Sequence, residues 1–325
     1  MTDRIRWGIL STGSIAATFA EDLKLLPDAE LAAVGSRSTE SAERFAAAHG
    51  VTRAHGSWQA LVEDPEVDAI YVATPHSAHY EASMLALRAG KAVLCEKPFT
   101  LAVEESEQMV ATARELGVFL MEAMWMRCIP AIRRMAELVR DGAIGEPVAV
   151  HADFGMQGPF PETSRLRDRK LGGGALYDVG IYPVTFAHLF LGRPASVQAW
   201  ARMSSGGVDE NTGMLFGYDS GAVAALTCSL LGDTARTGVV TGTQGRIDVK
   251  RDFFHPHGFT LWRAGETEEF DLPYEGSGYQ FEAAEVHRCL REGLLDSPLV
   301  PLGETLDILR LLAEVSGIVG LDYSS

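Results

Sequence analysis

The sequence predicts an α/β protein of two domains. Residues 1–122 read as a Rossmann-type, doubly wound parallel sheet, and residues 123–325 as an α+β domain on a large open, mostly antiparallel sheet. Three observations carry this. The chain has 325 residues, more than one hydrophobic core usually organises. Apolar strand patterns alternate with helix patterns through the first 120 residues, the rhythm of parallel βαβ units. From 194 to 271, short alternating strands follow one another without intervening helices, as antiparallel sheets do.

The elements follow in order. "IRWGIL" (5–10) is a strand, and the helix over 14–26 stops at Pro27. "ELAAVGS" (30–36) is a strand, followed by a helix over 38–50 with Ser38 as N-cap and Gly50 just past its end. "DAIYVAT" (68–74) leads to a helix over 77–90, "AVLC" to a helix over 103–117, and "VFLMEA" closes the first sheet. After about residue 123 a helix (130–141) precedes the strand "PVAVHADFG" (147–155). A polar loop, "MQGPFPETSRLRDRKLGGG", then runs into a helix over 175–190. The strands of the second sheet are "SVQAWARM", "NTGMLFGY", "AVAALTCSL", "TGVVTGT", "GRIDVK", "GFTLWRA" and "EEFDL". Helices over 279–292 and 303–320 end the chain.

Composition excludes some functions. Lys and Arg number 28 against 44 Asp and Glu, a formal net charge of −16, which argues against nucleic-acid and anionic-membrane partners. The N-terminus enters a strand pattern at once, without the apolar run of a signal peptide. Cys95, Cys128, Cys228 and Cys289 are scattered, which suits reduced thiols in a cytoplasmic protein.

The first strand runs into "GILSTGSIA". Ser11, Gly13 and Ala16 fill the three glycine positions of the dinucleotide fingerprint, and Ser11, Thr12, Gly13, Ser14 and Ile15 form the expected phosphate cradle at a helix N-terminus. The second strand ends in Ser36, Arg37 and Ser38, where an NAD site would place an acid for the ribose hydroxyls. Two hydroxyls and an arginine suit a 2′-phosphate, so the expected cofactor is NADP(H), with NAD(H) as the lesser possibility.

Ligands of doubly wound sheets bind outside the carboxyl ends of the strands. Three tips there carry chemistry: Thr74, Pro75, His76 and His79; Glu96, Lys97 and Pro98; and Glu122, Trp125 and Arg127. "GILSTGSIA", "ATPHSAHYE", "VLCEKP" and "GGGALYDVGIY" together resemble the Gfo/Idh/MocA oxidoreductases. Within that family, "RWGILSTGSI", "KAVLCEKP", "FLMEAMW" and "GGGALYDVGIY" are similar to the dimeric dihydrodiol dehydrogenases, also described as NADP-dependent D-xylose dehydrogenases. The resemblance implies hydride transfer between NAD(P) and a sugar, polyol or diol. It makes Lys97 the catalytic lysine, with Asp178 and Tyr182 matching a D-x-x-x-H pattern in which Tyr182 stands where many members have His.

The residues agree with that implication. Oxidising an alcohol needs an acceptor for the hydroxyl proton, and a lysine ammonium near a phenol draws the phenol down from its usual value of about 10. The expected cofactor contacts add Glu96, Lys97, Trp125 and the Thr74–His79 tip to the cradle. The expected substrate contacts are Trp125, Phe154, Arg165, Tyr182, Phe254 and Tyr279. The triple glycine at 172–174 suggests close backbone approach, read here as approach to a ligand. His76/His79 and His255/His257 lack a supporting carboxylate or cysteine at suitable spacing, so no metal is expected. A non-catalytic NADP-binding sensor is the alternative reading, and retention of both Lys97 and Tyr182 argues against it. The alternating strands of 194–271 leave one face to cover, which points to a homodimer through the C-terminal sheet.

Overall fold

The computed structural model describes residues 4–161 and 163–323. The chain forms two compact units. The first contains residues 1–128 and 275–306, the second 129–274 and 307–325.

In the first unit the strands β1 (Ile5–Leu10), β2 (Ala29–Gly35), β3 (Arg53–His55), β4 (Ala69–Val72), β5 (Ala92–Glu96) and β6 (Leu120–Ala123) form one sheet, ordered β3-β2-β1-β4-β5-β6. Every pairing in it is parallel. The helices between them are α1 (Ser14–Leu23), α2 (Thr39–His49), α3 (Trp58–Val62), α4 (His79–Arg88) and α5 (Val103–Leu116). The short β3 and α3 went unrecognised in the sequence, because three and five residues are too few to display a period. Trp7, Phe19 and Tyr71 form the aromatic centre of this unit, all wholly buried, with Phe19 stacked on Tyr71 at 3.8 Å.

The sequence expectation places one boundary between 122 and 123. The structure divides otherwise, because the chain returns to the first unit after residue 274. Helix α8 (Tyr279–Glu292) packs on α1. Buried Asp22 of α1 accepts the backbone N–H groups of Ser277 and Tyr279, each at 2.9 Å. Trp7 Nε1–H donates to His287 Nε2 at 2.8 Å, and His287 Nδ1 lies 3.2 Å from Asp28.

The second unit holds α6 (Pro130–Arg140), α7 (Ile181–Leu191) and the strands β7 (Pro147–Gly155), β8 (Ser196–Met203), β9 (Asp209–Gly217), β10 (Val223–Ser229), β11 (Gly238–Gly242), β12 (Gly245–Val249), β13 (Gly258–Arg263) and β14 (Glu266–Asp271). These strands make an eight-stranded sheet ordered β14-β13-β12-β11-β7-β10-β9-β8, antiparallel except for β7 with β10. Alternation is clean on β8 and β10, so one face is packed and the other open. The open face carries Trp200, Leu215, Val223 and Trp262, at 69%, 47%, 46% and 39% exposure. The last helix, α9 (Leu302–Val319), contains the point at which the chain passes from the first unit to the second. Among the described residues, no helix is long and apolar enough to cross a membrane.

Candidate active site

In the first unit, the turn after β1 builds an anion cradle. Ser11 adopts φ 109°, a conformation that favours glycine, and its N–H is anchored to Gly35 O at 2.9 Å. Gly13 caps α1 with no side-chain hydrogen bond, the first turn carries no acid, and a Cβ on Gly13 would meet nothing within 4 Å. Open space over the glycine, unsatisfied N–H groups and the positive end of a ten-residue helix suit a pyrophosphate. A cavity of about 260 Å³ adjoins this turn. It is lined by Thr12, Gly13 and Ser14 on one side and by Ser41, Arg44 and His49 of α2 on the other.

At the tip of β2, Ser36 N–H bonds His55 O at 3.1 Å and the Arg37 guanidinium lies 5.9 Å above the Trp58 ring. Ser38 accepts from Ser41 N–H at 3.3 Å, as an N-cap should, which leaves its own O–H free to donate. No acid stands between Gly35 and Ser38. Ser41 and Arg44 were missed in the sequence. Their signal was their spacing from the Ser38 cap, three and six residues on, which turns both toward the cradle. Arg44 is held by Ser41 Oγ at 3.2 Å and Glu40 at 3.3 Å.

Three neighbouring strand tips follow. At β4, Thr74 and His76 are buried, and His79 is wholly buried. Its Nδ1 lies 2.8 Å from Pro98 O and its Nε2 3.0 Å from Thr74 O. His79 therefore ties backbone to backbone, where the sequence reading put it in contact with cofactor. At β5, buried Glu96 accepts the Tyr71 hydroxyl and, at 3.2 Å, the N–H of half-buried Lys97. Burial raises the Tyr71 phenol well above its ordinary value, helped by the Glu96 charge. The Lys97–Pro98 peptide is cis. At β6, Glu122 accepts Phe99 N–H at 3.1 Å and the Thr305 hydroxyl at 3.0 Å. Burial pushes its carboxyl up to about 7 against the pull of those two donors. Just beyond, Arg127 pairs with Glu304, and Trp125 stacks on Tyr279 with centroids 4.4 Å apart.

In the second unit the sequence-predicted residues gather in two contacts. Phe154 of β7 stacks on Phe254 at 4.3 Å, and the Tyr182 ring lies 5.5 Å from the first and 5.1 Å from the second. Tyr182, 5% exposed, stands in the first turn of α7. Asp178, 4% exposed, lies on the preceding π-helical turn, Leu176–Gly180, and pairs with Arg165 at 2.7 Å.

The family model for the Gfo/Idh/MocA "oxidoreductase family, NAD-binding Rossmann fold" matches residues 5–124, and that for the "GFO/IDH/MocA C-terminal domain" matches residues 132–248. Trans-1,2-dihydrobenzene-1,2-diol dehydrogenase of Mus musculus is 37% identical over 337 residues, covering 98% of each chain. The chain belongs to the Gfo/Idh/MocA oxidoreductase family. The human trans-1,2-dihydrobenzene-1,2-diol dehydrogenase is 36% identical at the same coverage. Among solved structures, the 3-ketoreductase KijD10 of Actinomadura kijaniata, in complex with NADP and TDP-benzene, superposes with a TM-score of 0.86 at 30% identity, over 98% of each chain. The aldose-aldose oxidoreductase of Caulobacter crescentus shares the fold, with a TM-score of 0.89 at 24% identity over 98% of each chain.

As a Gfo/Idh/MocA oxidoreductase, the chain departs from its sequence reading at the triple glycine. A Cβ on Gly173 would stand 2.5 Å from Arg165 O, and one on Gly174, at φ 115°, would stand 2.4 Å from Asp209. At Gly173 and Gly174 the close approach is to the protein's own 165–166 loop and to a buried carboxylate. These glycines seat the Arg165 loop beside the turn that carries Asp178.

Proposed function

We propose that the chain is an NADP-dependent dehydrogenase that exchanges hydride with a sugar, polyol or trans-dihydrodiol, D-xylose among the candidates. The observation that carries it is Lys97: a half-buried lysine just past the carboxyl end of an interior strand, β5, in a dinucleotide-binding sheet, its backbone N–H held by buried Glu96. When bound, the nicotinamide supplies the hydride acceptor or donor. The chain's own work is with the proton and the orientation of the reacting carbon. Lys97 donates to the substrate oxygen and stabilises developing alkoxide charge, while Tyr182 passes the hydroxyl proton. Phe154 and Phe254 present an apolar wall beside the Tyr182 ring, and Asp178 holds Arg165 for the polar end of the substrate.

The relatives support this reading. Their names carry dihydrodiol dehydrogenation, and KijD10 has been crystallised with NADP, both with a phenylalanine in place of a tyrosine and with alanine or glutamate in place of a lysine. The acid-free β2 tip supports NADP over NAD. Four buried cysteine thiols suit a cytoplasmic protein. The open face of the eight-stranded sheet suits a second copy of the chain.

The test is kinetic. Lys97→Met is expected to keep NADPH affinity within a few-fold and to lower kcat by about 10²–10⁴. Tyr182→Phe should do the same, and the double variant should be little worse than either, since the two act as a unit. Normal turnover in folded Lys97→Met protein would end this mechanism.

A further inference from the structure

We propose that His79 and Glu122 clamp one peptide plane, Pro98–Phe99, from both sides, and that this clamp is what positions Lys97. The proposal rests on the reading of Lys97 given above. The carbonyl of that peptide faces His79 Nδ1 at 2.8 Å, and its N–H donates to Glu122 Oε1 at 3.1 Å. The far side of each clamping residue is fastened as well. His79 Nε2 lies 3.0 Å from Thr74 O, and Glu122 Oε2 lies 3.0 Å from the Thr305 hydroxyl. One continuous line therefore joins the tips of β4, β5 and β6 to the start of α9. His79, Phe99 and Glu122 are 0%, 0% and 2% exposed, so water does not compete for these bonds.

The two contacts of His79 determine its hydrogens. A carbonyl oxygen only accepts, so two hydrogen bonds to two carbonyls require an N–H on both ring nitrogens. His79 is thus an imidazolium, with the His76 ring as its aromatic neighbour at 5.6 Å. Glu122 accepts Phe99 N–H in either protonation state, because the Thr305 hydroxyl can donate to it or accept from it. A charged ring sealed from water is costly, and an apolar side chain would fill the same volume at lower cost. What the ring provides is two charge-assisted bonds in fixed directions.

Lys97 stands one residue before the clamped peptide, and its own N–H is held by Glu96 at 3.2 Å. Its backbone is therefore fixed on both sides. His79 and Glu122 touch no reacting atom in this scheme; they are positioning residues.

Nitrogen-15 spectra of histidine-labelled wild-type protein at pH 7 are expected to show a histidine with both nitrogens protonated whose signal is absent from His79→Asn. A single protonated nitrogen at that residue would overturn the proposal. His79→Asn and Glu122→Ala should lower kcat by about 10- to 100-fold, the cost of misplacing a reacting group by roughly an ångström. Their NADPH dissociation constants should stay within threefold, whereas a general loosening of the fold would weaken both together. Glu122→Gln, whose amide oxygen still accepts Phe99 N–H, should recover most of the rate lost in Glu122→Ala. Lys97→Met run alongside separates two failures. If it turns over normally, the reading of Lys97 is wrong. If it is inactive while His79→Asn and Glu122→Ala keep wild-type kcat, the clamp alone is wrong. Should His79→Asn not fold, the wild-type spectrum and the Glu122 pair decide.

Discussion

Glu122 shows how one buried carboxyl couples to solution conditions. Its folded-state value of about 7 lies above the ordinary 4.5, chiefly because burial disfavours the charge. Between those values the folded chain keeps a proton that the unfolded chain releases. Its contribution to stability is therefore complete below about pH 4.5 and lost as pH rises to 7, a change of roughly 3 kcal/mol at most. Glu122→Gln should match wild-type stability at pH 5 and exceed it by about 1–3 kcal/mol at pH 8, as read by urea unfolding at the two pH values. Arg37 and Arg44 make a second pair of residue-scale expectations. Loss of a charged hydrogen bond costs about 1.5–3 kcal/mol, so Arg37→Ala should weaken NADPH more than tenfold and leave NADH nearly unchanged in binding titrations. Equal weakening of both cofactors would remove the 2′-phosphate reading. Arg44, on the wall of the cradle cavity, should show the same selectivity at smaller size, because Glu40 already draws on its charge.

Helix α2 puts structure and specificity on the same side chain. Ser38 caps the helix while its hydroxyl stands at the β2 tip, and Gly50 ends it at φ 76°. Ser38→Asp separates the two roles, since Asp caps as well as Ser but brings a carboxylate to the place where an NAD site carries one. The melting temperature should hold, and the preference for NADPH over NADH should fall by about tenfold or more. Unchanged preference would place the 2′-phosphate elsewhere. The Ser38 and Gly50 signals were legible because caps are chemical features of single residues. The π-helical turn at 176–180 was not: the sequence reads 175–190 as one helix, and nothing in "ALYDVGIY" marks an i→i+5 turn. The meaning of the triple glycine was hidden for a related reason. A glycine announces that something comes close, and only the fold shows that the neighbours are Arg165 O and Asp209.

Across the whole molecule, periodicity carried nearly everything that has length. Five of the six strands of the first sheet and all eight strands of the second lie within a few residues of their expected positions, β7 and β8 at their expected bounds. The domain boundary was less legible, because the tie between Asp22 and residues 277–279 spans 255 residues and leaves no local mark. The gathering of Phe154, Tyr182 and Phe254 was expected only as membership of a set, since ring contacts between β7, α7 and a loop follow from register. The open sheet face sets the assembly expectation. Trp200 and Leu215 stand on neighbouring strands of that face, so Trp200→Glu with Leu215→Glu should convert a dimer to monomer in sedimentation velocity at micromolar concentration. A wild-type chain already monomeric there would contradict the assembly.

The return of the chain to its first unit has a consequence for how the protein is made. Translation delivers β1 first and α8 only after residue 278, so Trp7 leaves the ribosome roughly 280 residues before His287 can bond its indole. At about 5–20 residues per second, that interval is tens of seconds. During it, Asp22 and the outer side of α1 wait without their final partners. A nascent chain arrested at residue 274 should expose Trp7 to a fluorescence quencher, and synthesis through α8 should close it. For this fold a later part of the message completes the domain that an earlier part began.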